Sequence, residues 1–204
     1  CPKTRRKSRF LTVEEFDRLA ARLQGHTEYL YLHVLGEPLL HPQLAEILEC
    51  AARRGFKVCI TTNGHLLPQC AKELKEAGVS RSNLSLDTLD ESKYAYITRK
   101  GSLQSFQAGL QAALEAGFEK IKINAVLIGG FNDDEIRPLA ELTKRYPADV
   151  RFIELMPMYD SGDFDQKAFI PYTRVLEEVP ELSPVEQDGG VAKLYRLPDG
   201  QGNV

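Results

Sequence analysis

The residues best able to do chemistry in this chain sit on short apolar segments, where polar side chains recur at every second position. In 57–63, Val58 and Ile60 fall on one side of an extended segment, and Cys59, Thr61 and Asn63 on the other. In 80–87, Leu84 and Leu86 oppose Asn83, Ser85 and Asp87; in 120–127, Ile121, Ile123, Ala125 and Leu127 oppose Lys122 and Asn124. Hydroxyls, amides, a carboxylate and an ammonium on one side of three successive segments suit a polar ligand held by hydrogen bonds and charge. Each residue also has a plain structural use. Lys122 could run its stem along a sheet and end in water, Asn83 and Ser85 could cap backbone, and Thr61 and Thr62 are strand formers. Asn132-Asp133-Asp134 reads better as a helix start than as a metal site. Cys50 and Cys59 fall in apolar periods and read as core thiols. Cys70 stands at a helix start, where packing is again favoured over an activated thiol. His33 and His41 lack a second ligand at metal spacing.

Short strands alternating with helices must position these groups. Thr12-Val13-Glu14-Glu15 has the form of a capping box, followed by Phe16, Leu19, Ala20 and Leu23 at helical spacing. Strands are expected to begin near 29, 57, 80, 120 and 149, with helices over 42–54, 68–77, 103–116 and 135–146. Pro138 is tolerable only near the start of the last of these. One βα unit every 24–40 residues implies right-handed crossovers and a parallel sheet, either a β/α barrel or a doubly wound sheet. No G-x-G-x-x-G follows the first strand and no GK[ST] loop occurs, which counts against dinucleotide and P-loop folds. A closed barrel would fill its lumen with branched apolar side chains. A polar face on three strands instead predicts an open barrel that holds a polar ligand. Beyond residue 157 the pattern becomes irregular, with a short helix near 172–178 and an edge-type strand at 191–197. Asp199-Gly200-Gln201-Gly202 then reads as a hairpin turn whose return strand is missing.

Composition narrows the class further. The 204 residues carry 26 Lys+Arg against 29 Asp+Glu, and this net charge of −3 argues against bulk binding of nucleic acid. Apolar residues make up 43%, which excludes disorder. No run reaches the ~20 apolar residues of a membrane span, and no secretory pattern is visible. Four scattered cysteines do not make a disulfide scaffold, so a reduced cytoplasmic protein is expected.

Gly36-Glu37-Pro38, directly after the first strand, resembles the Gly-Gly-Glu-Pro motif of the radical S-adenosylmethionine (radical SAM) superfamily. Four later segments resemble its GTP 3′,8-cyclase family, which opens molybdenum-cofactor biosynthesis. They are Ser85-Leu86-Asp87-Thr88-Leu89-Asp90, Lys122-Ile123-Asn124-Ala125-Val126, Gly130-Phe131-Asn132-Asp133-Asp134-Glu135-Ile136 and Val150-Arg151-Phe152-Ile153-Glu154-Leu155-Met156-Pro157-Met158. A fifth, Gly189-Gly190-Val191-Ala192-Lys193 with Tyr195-Arg196-Leu197, occurs in the same order.

The resemblance implies an α/β fold: a partial (β/α)6-type open TIM barrel of parallel strands over 1–157, then the start of a C-terminal extension over 158–204. It implies a [4Fe–4S] cluster, with Cys1 as the last cysteine of a Cys-x-x-x-Cys-x-x-Cys loop, and S-adenosylmethionine as cosubstrate. By the same resemblance, Gly36, Glu37, Ser85 and Met156 would contact S-adenosylmethionine, Glu37 as an acceptor for its α-ammonium. Thr61 and Lys122 would approach GTP, and Arg151 would meet phosphate. The implied chemistry is reductive cleavage of S-adenosylmethionine to a 5′-deoxyadenosyl radical, removal of a ribose hydrogen from GTP, and closure of the sugar carbon onto guanine C8. A homodimer and a reductant protein such as flavodoxin or ferredoxin are the implied partners, with no nucleic acid and no membrane. The 204-residue chain alone is expected to be inactive. Leu35 departs from the usual glycine, and Leu30 and Leu32 stand where the cyclase family carries two basic residues facing the nucleotide. A radical SAM enzyme for another small molecule or peptide is therefore the second reading, and a non-catalytic barrel without its cluster the third.

Overall fold

Strands β1 (Tyr29–Leu32), β2 (Lys57–Thr62), β3 (Val79–Ser85), β4 (Lys120–Leu127) and β5 (Asp149–Glu154) form one parallel sheet in the order β1-β2-β3-β4-β5. The structure, a computed structural model, describes residues 9–33, 36–99, 101–156, 168–186 and 192–204. Sequential strand order with helical connections is what repeated right-handed βα units produce. All five expected strands are present.

The chain divides into two compact units, Cys1–Leu84 with Ser105–Ile121, and Ser85–Gln104 with Lys122–Val204. In the first, α1 (Val13–Leu23) begins with the predicted capping box: Thr12 Oγ1 accepts from Glu15 N–H at 3.2 Å, and Glu15 Oε2 accepts from Thr12 N–H at 3.1 Å. Helix α2 (Leu44–Arg53) meets α1 through a polar bridge. Arg54 Nε and Nη2 donate to the two Asp17 oxygens at 2.9 and 2.7 Å, and Cys50 Sγ donates to Oδ1 at 2.8 Å. These donors, Arg54 first, hold the Asp17 carboxyl down to about 2. Helices α3 (Leu67–Glu76) and α5 (Leu103–Glu115) complete this unit, whose buried residues include Leu48, Val58, Ile60, Leu67, Leu84, Phe106 and Leu110. Gly109, inside α5, lies against the turn after β2: a Cβ there would stand 2.1 Å from the Gly64 carbonyl oxygen.

The second unit holds α4 (Glu91–Thr98), a helix not foreseen in the sequence, with Asp90 Oδ1 accepting from Lys93 N–H at 2.8 Å as its N-cap. The expected helix over 135–146 is broken into a 3₁₀ turn at Asp133–Glu135, α6 (Ile136–Ala140) and α7 (Leu142–Arg145). Pro138 is the third residue of α6, near its start as expected. Helix α8 (Thr173–Glu178) follows, and a two-stranded antiparallel ribbon joins β6 (Ser183–Pro184) to β7 (Tyr195–Arg196). Ile170, Val175, Val179, Leu182 and Leu197 share a core with Leu127, Ile136 and Ala140. The supposed missing return of the final hairpin is present: Tyr195 and Val204 exchange two backbone hydrogen bonds of 2.8 Å, and Asn203 O accepts from Val150 N–H at 2.8 Å. Two paired residues are too few to register as a strand in the sequence.

Candidate functional site

In the first unit, the loops after β1 and β2 carry the candidate residues. Gly36 has φ +118°, a backbone open to glycine and strained for other residues, which explains the residue type at the head of the Gly-Glu-Pro turn. Glu37 is already engaged within the chain. Its Oε1 accepts from Leu39 N–H at 3.2 Å and its Oε2 from Asn63 N–H at 3.1 Å, so the carboxylate joins the two loops. Thr62 Oγ1 accepts from Gly64 N–H at 3.1 Å, and Gly64, at φ +84°, turns the chain into α3. Thr61 and Asn83 are register partners, and Asn83 Nδ2 donates to Thr61 Oγ1 at 3.2 Å. Both are half-buried on the side of the sheet opposite Ile60 and Leu84, as the alternation predicted.

The register of β1 revises what Leu30 and Leu32 mean. They pair with Val58 and Ile60 and so lie on the apolar side, while Tyr29 and Tyr31 share the side of Cys59 and Thr61. The Arg81 guanidinium stands 4.1 Å from the Tyr29 ring and donates to its hydroxyl at 2.8 Å. Two leucines therefore do not interrupt the polar face; two tyrosines occupy it.

In the second unit the alternation is sharper. Along β4, Ile121, Ile123, Ala125 and Leu127 are buried, while Lys122, Asn124 and Val126 are half-buried. Lys122 pairs in register with Asp149, and Asn124 with Arg151, which places these four on one side. Ser85, the last residue of β3, is exposed. Leu86 N–H donates to Asn124 O at 2.9 Å, and Asp87 Oδ1 accepts from Val126 N–H at 2.8 Å. Burial pushes the Asp87 carboxyl up, against that hydrogen bond. Asn124 Oδ1 is enclosed and has no hydrogen-bond partner among the described residues. Met156, after β5, is 70% exposed.

Behind this face lies a network that sequence reasoning missed. Asn132 stands at a helix start, as its sequence indicates, preceding the 3₁₀ turn Asp133–Glu135, but its side chain does not cap that turn. It is fully buried, donates from Nδ2 to Asp87 O (2.6 Å) and Val126 O (2.8 Å), and accepts at Oδ1 from Ile128 N–H (2.8 Å). Glu135 is 8% exposed. Its Oε1 accepts from Thr88 Oγ1 at 2.7 Å and Lys93 Nζ at 2.9 Å, and its Oε2 from Leu89 N–H at 2.5 Å. Hydrogen bonds to Asp134 and then Glu135 raise the Lys93 ammonium well above its usual range. The signal available was the run Asn132 to Glu135 itself, whose polar density an ordinary helix start does not need.

The first unit thus carries Gly36, Glu37 and Thr61, and the second Ser85, Lys122, Arg151 and Met156. Cys1 and Leu35 lie outside the described residues. Cys50 and Cys59 are buried, and Cys70 Sγ donates to Leu66 O at 3.1 Å with its thiol raised by burial and then by Glu73 and Glu37. The packing role expected of these three thiols fits. Among the described residues no group of three His, Cys, Asp or Glu could hold a metal ion, and no helix is long and apolar enough to cross a membrane.

Comparison with known proteins decides the family. Residues 1–143 match the Radical SAM superfamily. The chain belongs to that superfamily. It is 45% identical over 177 residues to a GTP 3′,8-cyclase of Pelotomaculum thermopropionicum, covering 83% of this chain and 54% of that one. It is 43% identical over 200 residues to a GTP 3′,8-cyclase of Peptoclostridium acidaminophilum, covering 95% and 61%. The chain therefore spans a little over half the length of these curated relatives. Among solved structures, methylornithine synthase superposes with a TM-score of 0.65 at 16% identity, over 82% of this chain and 52% of that one. That likeness concerns the fold, and it bears out the open, partial β/α-barrel class.

The superfamily implies S-adenosylmethionine and a [4Fe–4S] cluster. The polar face of the second unit fits a polar cosubstrate: Ser85 is open, and Asn124 keeps an enclosed oxygen without a donor, which a bound hydroxyl or ammonium would supply. Among the described residues no cysteines are gathered in a way that could hold a cluster.

Proposed function

We propose that this chain is the barrel portion of a radical SAM enzyme of the GTP 3′,8-cyclase type, acting in the cytoplasm in molybdenum-cofactor biosynthesis. The observation that carries the proposal is the set of polar residues at the end of β3 and along β4 and β5: Ser85 with Asp87 just beyond it, Lys122 and Asn124, and Arg151, on strands whose alternate residues are mostly buried and apolar. In this reading Gly36, Glu37, Ser85 and Met156 hold S-adenosylmethionine. Lys122 and Arg151 attract the anionic nucleotide, and Thr61 offers it a hydroxyl. With both its oxygens engaged, Glu37 would receive an ammonium as a third donor, which a carboxylate's remaining lone pairs allow. When bound, the cluster and cosubstrate supply the radical that removes the ribose hydrogen. The chain's own contribution is to orient each ligand by hydrogen bonds and charge. Cys1 as cluster ligand, a barrel over 1–157, an extension over 158–204, a homodimer and a flavodoxin- or ferredoxin-like reductant belong to the same reading.

The test is anaerobic incubation of the full-length, cluster-loaded protein with GTP, S-adenosylmethionine and dithionite, followed by mass spectrometry. Formation of 5′-deoxyadenosine together with a 3′,8-cyclised nucleotide supports the proposal. Cosubstrate cleavage with GTP unchanged selects the second reading, a radical enzyme for another small molecule or peptide, which Tyr29 and Tyr31 on the polar side of β1 favour. No cleavage at all selects a non-catalytic barrel.

A further inference from the structure

The network of Asn132 and Glu135 is larger than helix initiation requires. Residues 86–90 follow the end of β3 and belong to no helix or strand. Leu86 still reaches the backbone of β4, and from Asp87 onward side chains take over. Leu86 N–H is bound to Asn124 O, Asp87 O to Asn132 Nδ2, and Leu89 N–H to Glu135 Oε2. The Thr88 hydroxyl donates to Glu135 Oε1 and accepts from Asp90 N–H at 3.1 Å. Asn132, Thr88 and Glu135 are all buried. Burying an amide and a carboxylate is unfavourable unless each atom finds a partner, and a packed apolar cluster would hold α4 and α6 as well. What an apolar cluster lacks is direction. Only hydrogen bonds to individual backbone groups fix the path of irregular chain one to four residues beyond Ser85.

We propose that Asn132 and Glu135 are positioning residues for S-adenosylmethionine, acting through Ser85 by locking the Asp87–Leu89 backbone that follows it. The inference rests on the reading of Ser85 as a cosubstrate contact. Lys93 completes the lock. Its ammonium lies 2.9 Å from Glu135 Oε1 and 2.8 Å from Asp134, compensating the buried carboxylate from its open side. Asp134, largely exposed, belongs to the outer end of this chain of charges and touches neither Thr88 nor Leu89 among the bonds described.

The experiment is a double-mutant cycle on the full-length, cluster-loaded protein, with S-adenosylmethionine binding read by calorimetry and amide hydrogen exchange read over 85–93. Glu135→Gln should weaken cosubstrate binding about tenfold, the loss expected of one charge-assisted hydrogen bond, and speed exchange at Leu86–Leu89. The KM for GTP should stay within about twofold. Ser85→Ala should also weaken binding, and the pair of substitutions should be no worse than Ser85→Ala alone, because Glu135 acts only through Ser85. Thr88→Val, which keeps shape and removes the hydroxyl, should reproduce the effect of Glu135→Gln if that variant folds poorly. Asp134→Asn should bind as the unaltered protein does. Additive losses in the double variant, or cosubstrate binding unaffected by both Glu135→Gln and Thr88→Val, overturn the proposal. If Ser85→Ala itself leaves binding unchanged, the reading of Ser85 fails and the positioning role with it. Loss on Ser85→Ala alone removes only the positioning role.

Discussion

Gly109→Ala puts two opposed effects in one substitution, and the structure says which should win. Inside a helix, alanine is favoured over glycine by about 1 kcal/mol, so the exchange should stabilise α5 in isolation. In the folded chain the new Cβ would lie 2.1 Å from Gly64 O, 2.8 Å from its carbonyl carbon and 3.1 Å from its Cα. The obstruction is backbone, so no rotamer change relieves it. The oxygen must retreat by at least about 1.3 Å to reach ordinary contact distance. Gly64 O accepts from Leu67 N–H at 3.1 Å, and Gly64 N–H is held by Thr62 Oγ1, so movement strains the start of α3 and the turn after Thr61. Overpacking of this kind costs about 1–3 kcal/mol, and a weakened buried hydrogen bond adds about 1 kcal/mol. Against the propensity gain the net is a loss of about 2 kcal/mol, or a fall of roughly 4–8 °C in Tm at this chain length. Thermal and urea unfolding followed by circular dichroism measure it. A variant as stable as the parent, or more stable, would show that α5 and the Gly64 turn are not in contact and would refute the reasoning.

Three further outcomes follow from the same geometry. Asp87→Asn keeps an acceptor for Val126 N–H and removes a charge that burial disfavours, so it should stabilise the protein at neutral pH. Because burial raises that carboxyl, the gain should disappear as pH falls below the ordinary carboxylate value near ~4; urea titrations at several pH values test this, and a loss at neutral pH that eases in acid would contradict it. Asp17 behaves oppositely. Its carboxyl is depressed to about 2, so its contribution is complete above the unfolded value near ~4 and is lost as pH falls through the folded one. The stability difference between Asp17→Asn and the parent should shrink across that window, and a pH-independent difference would exclude the Arg54 bridge as its source. Gly202→Ala would set a Cβ 2.0 Å from Ala148 O, and a loss of about 2 kcal/mol in urea unfolding is expected; no change would mean that the 195–204 segment is not seated on β5.

Alternation made the strands readable. Period 2 in 57–62, 80–86 and 120–127 survives into the structure because the apolar side of each strand must be covered while the other side stays half-open, and one wrong register would invert every side chain. Helices with four apolar positions at helical spacing were equally legible, α1 down to the hydrogen bonds of its cap. Helix α4 was not, since Tyr94 is its one buried residue and a single anchor has no period. The run Asn132 to Asp134 does open a helical segment, as its composition indicates, but the larger role of the Asn132 side chain was not legible. An Asn followed by two Asp has the composition of an N-cap, and only the fold reveals that the Asn132 amide reaches Asp87, 45 positions away in the chain. The meaning of Leu30 and Leu32 likewise depended on pairing with Val58 and Ile60, which no local pattern specifies.

The polar residues of the sheet and its loops can be sorted by what their hydrogen-bonding groups already do. Asn132, Thr88 and Glu135 are buried and bonded to named backbone or side-chain groups, which is the signature of construction. Glu37 is intermediate, joining two loops while keeping lone pairs to spare. Ser85 is exposed at a strand end, and Asn124 encloses an oxygen with nothing to accept from. An unsatisfied buried acceptor costs about 1–3 kcal/mol, and it sits on a strand whose alternate residues are buried and apolar. Exchanging Asn124 for an apolar residue would remove that cost. In the proposed function that cost has a use, since a free acceptor beside Lys122 and Ser85 is one that a polar cosubstrate would satisfy. The division of labour then runs along the chain in a consistent direction: strands end in groups left open, and the loops that follow carry the groups that hold those ends still.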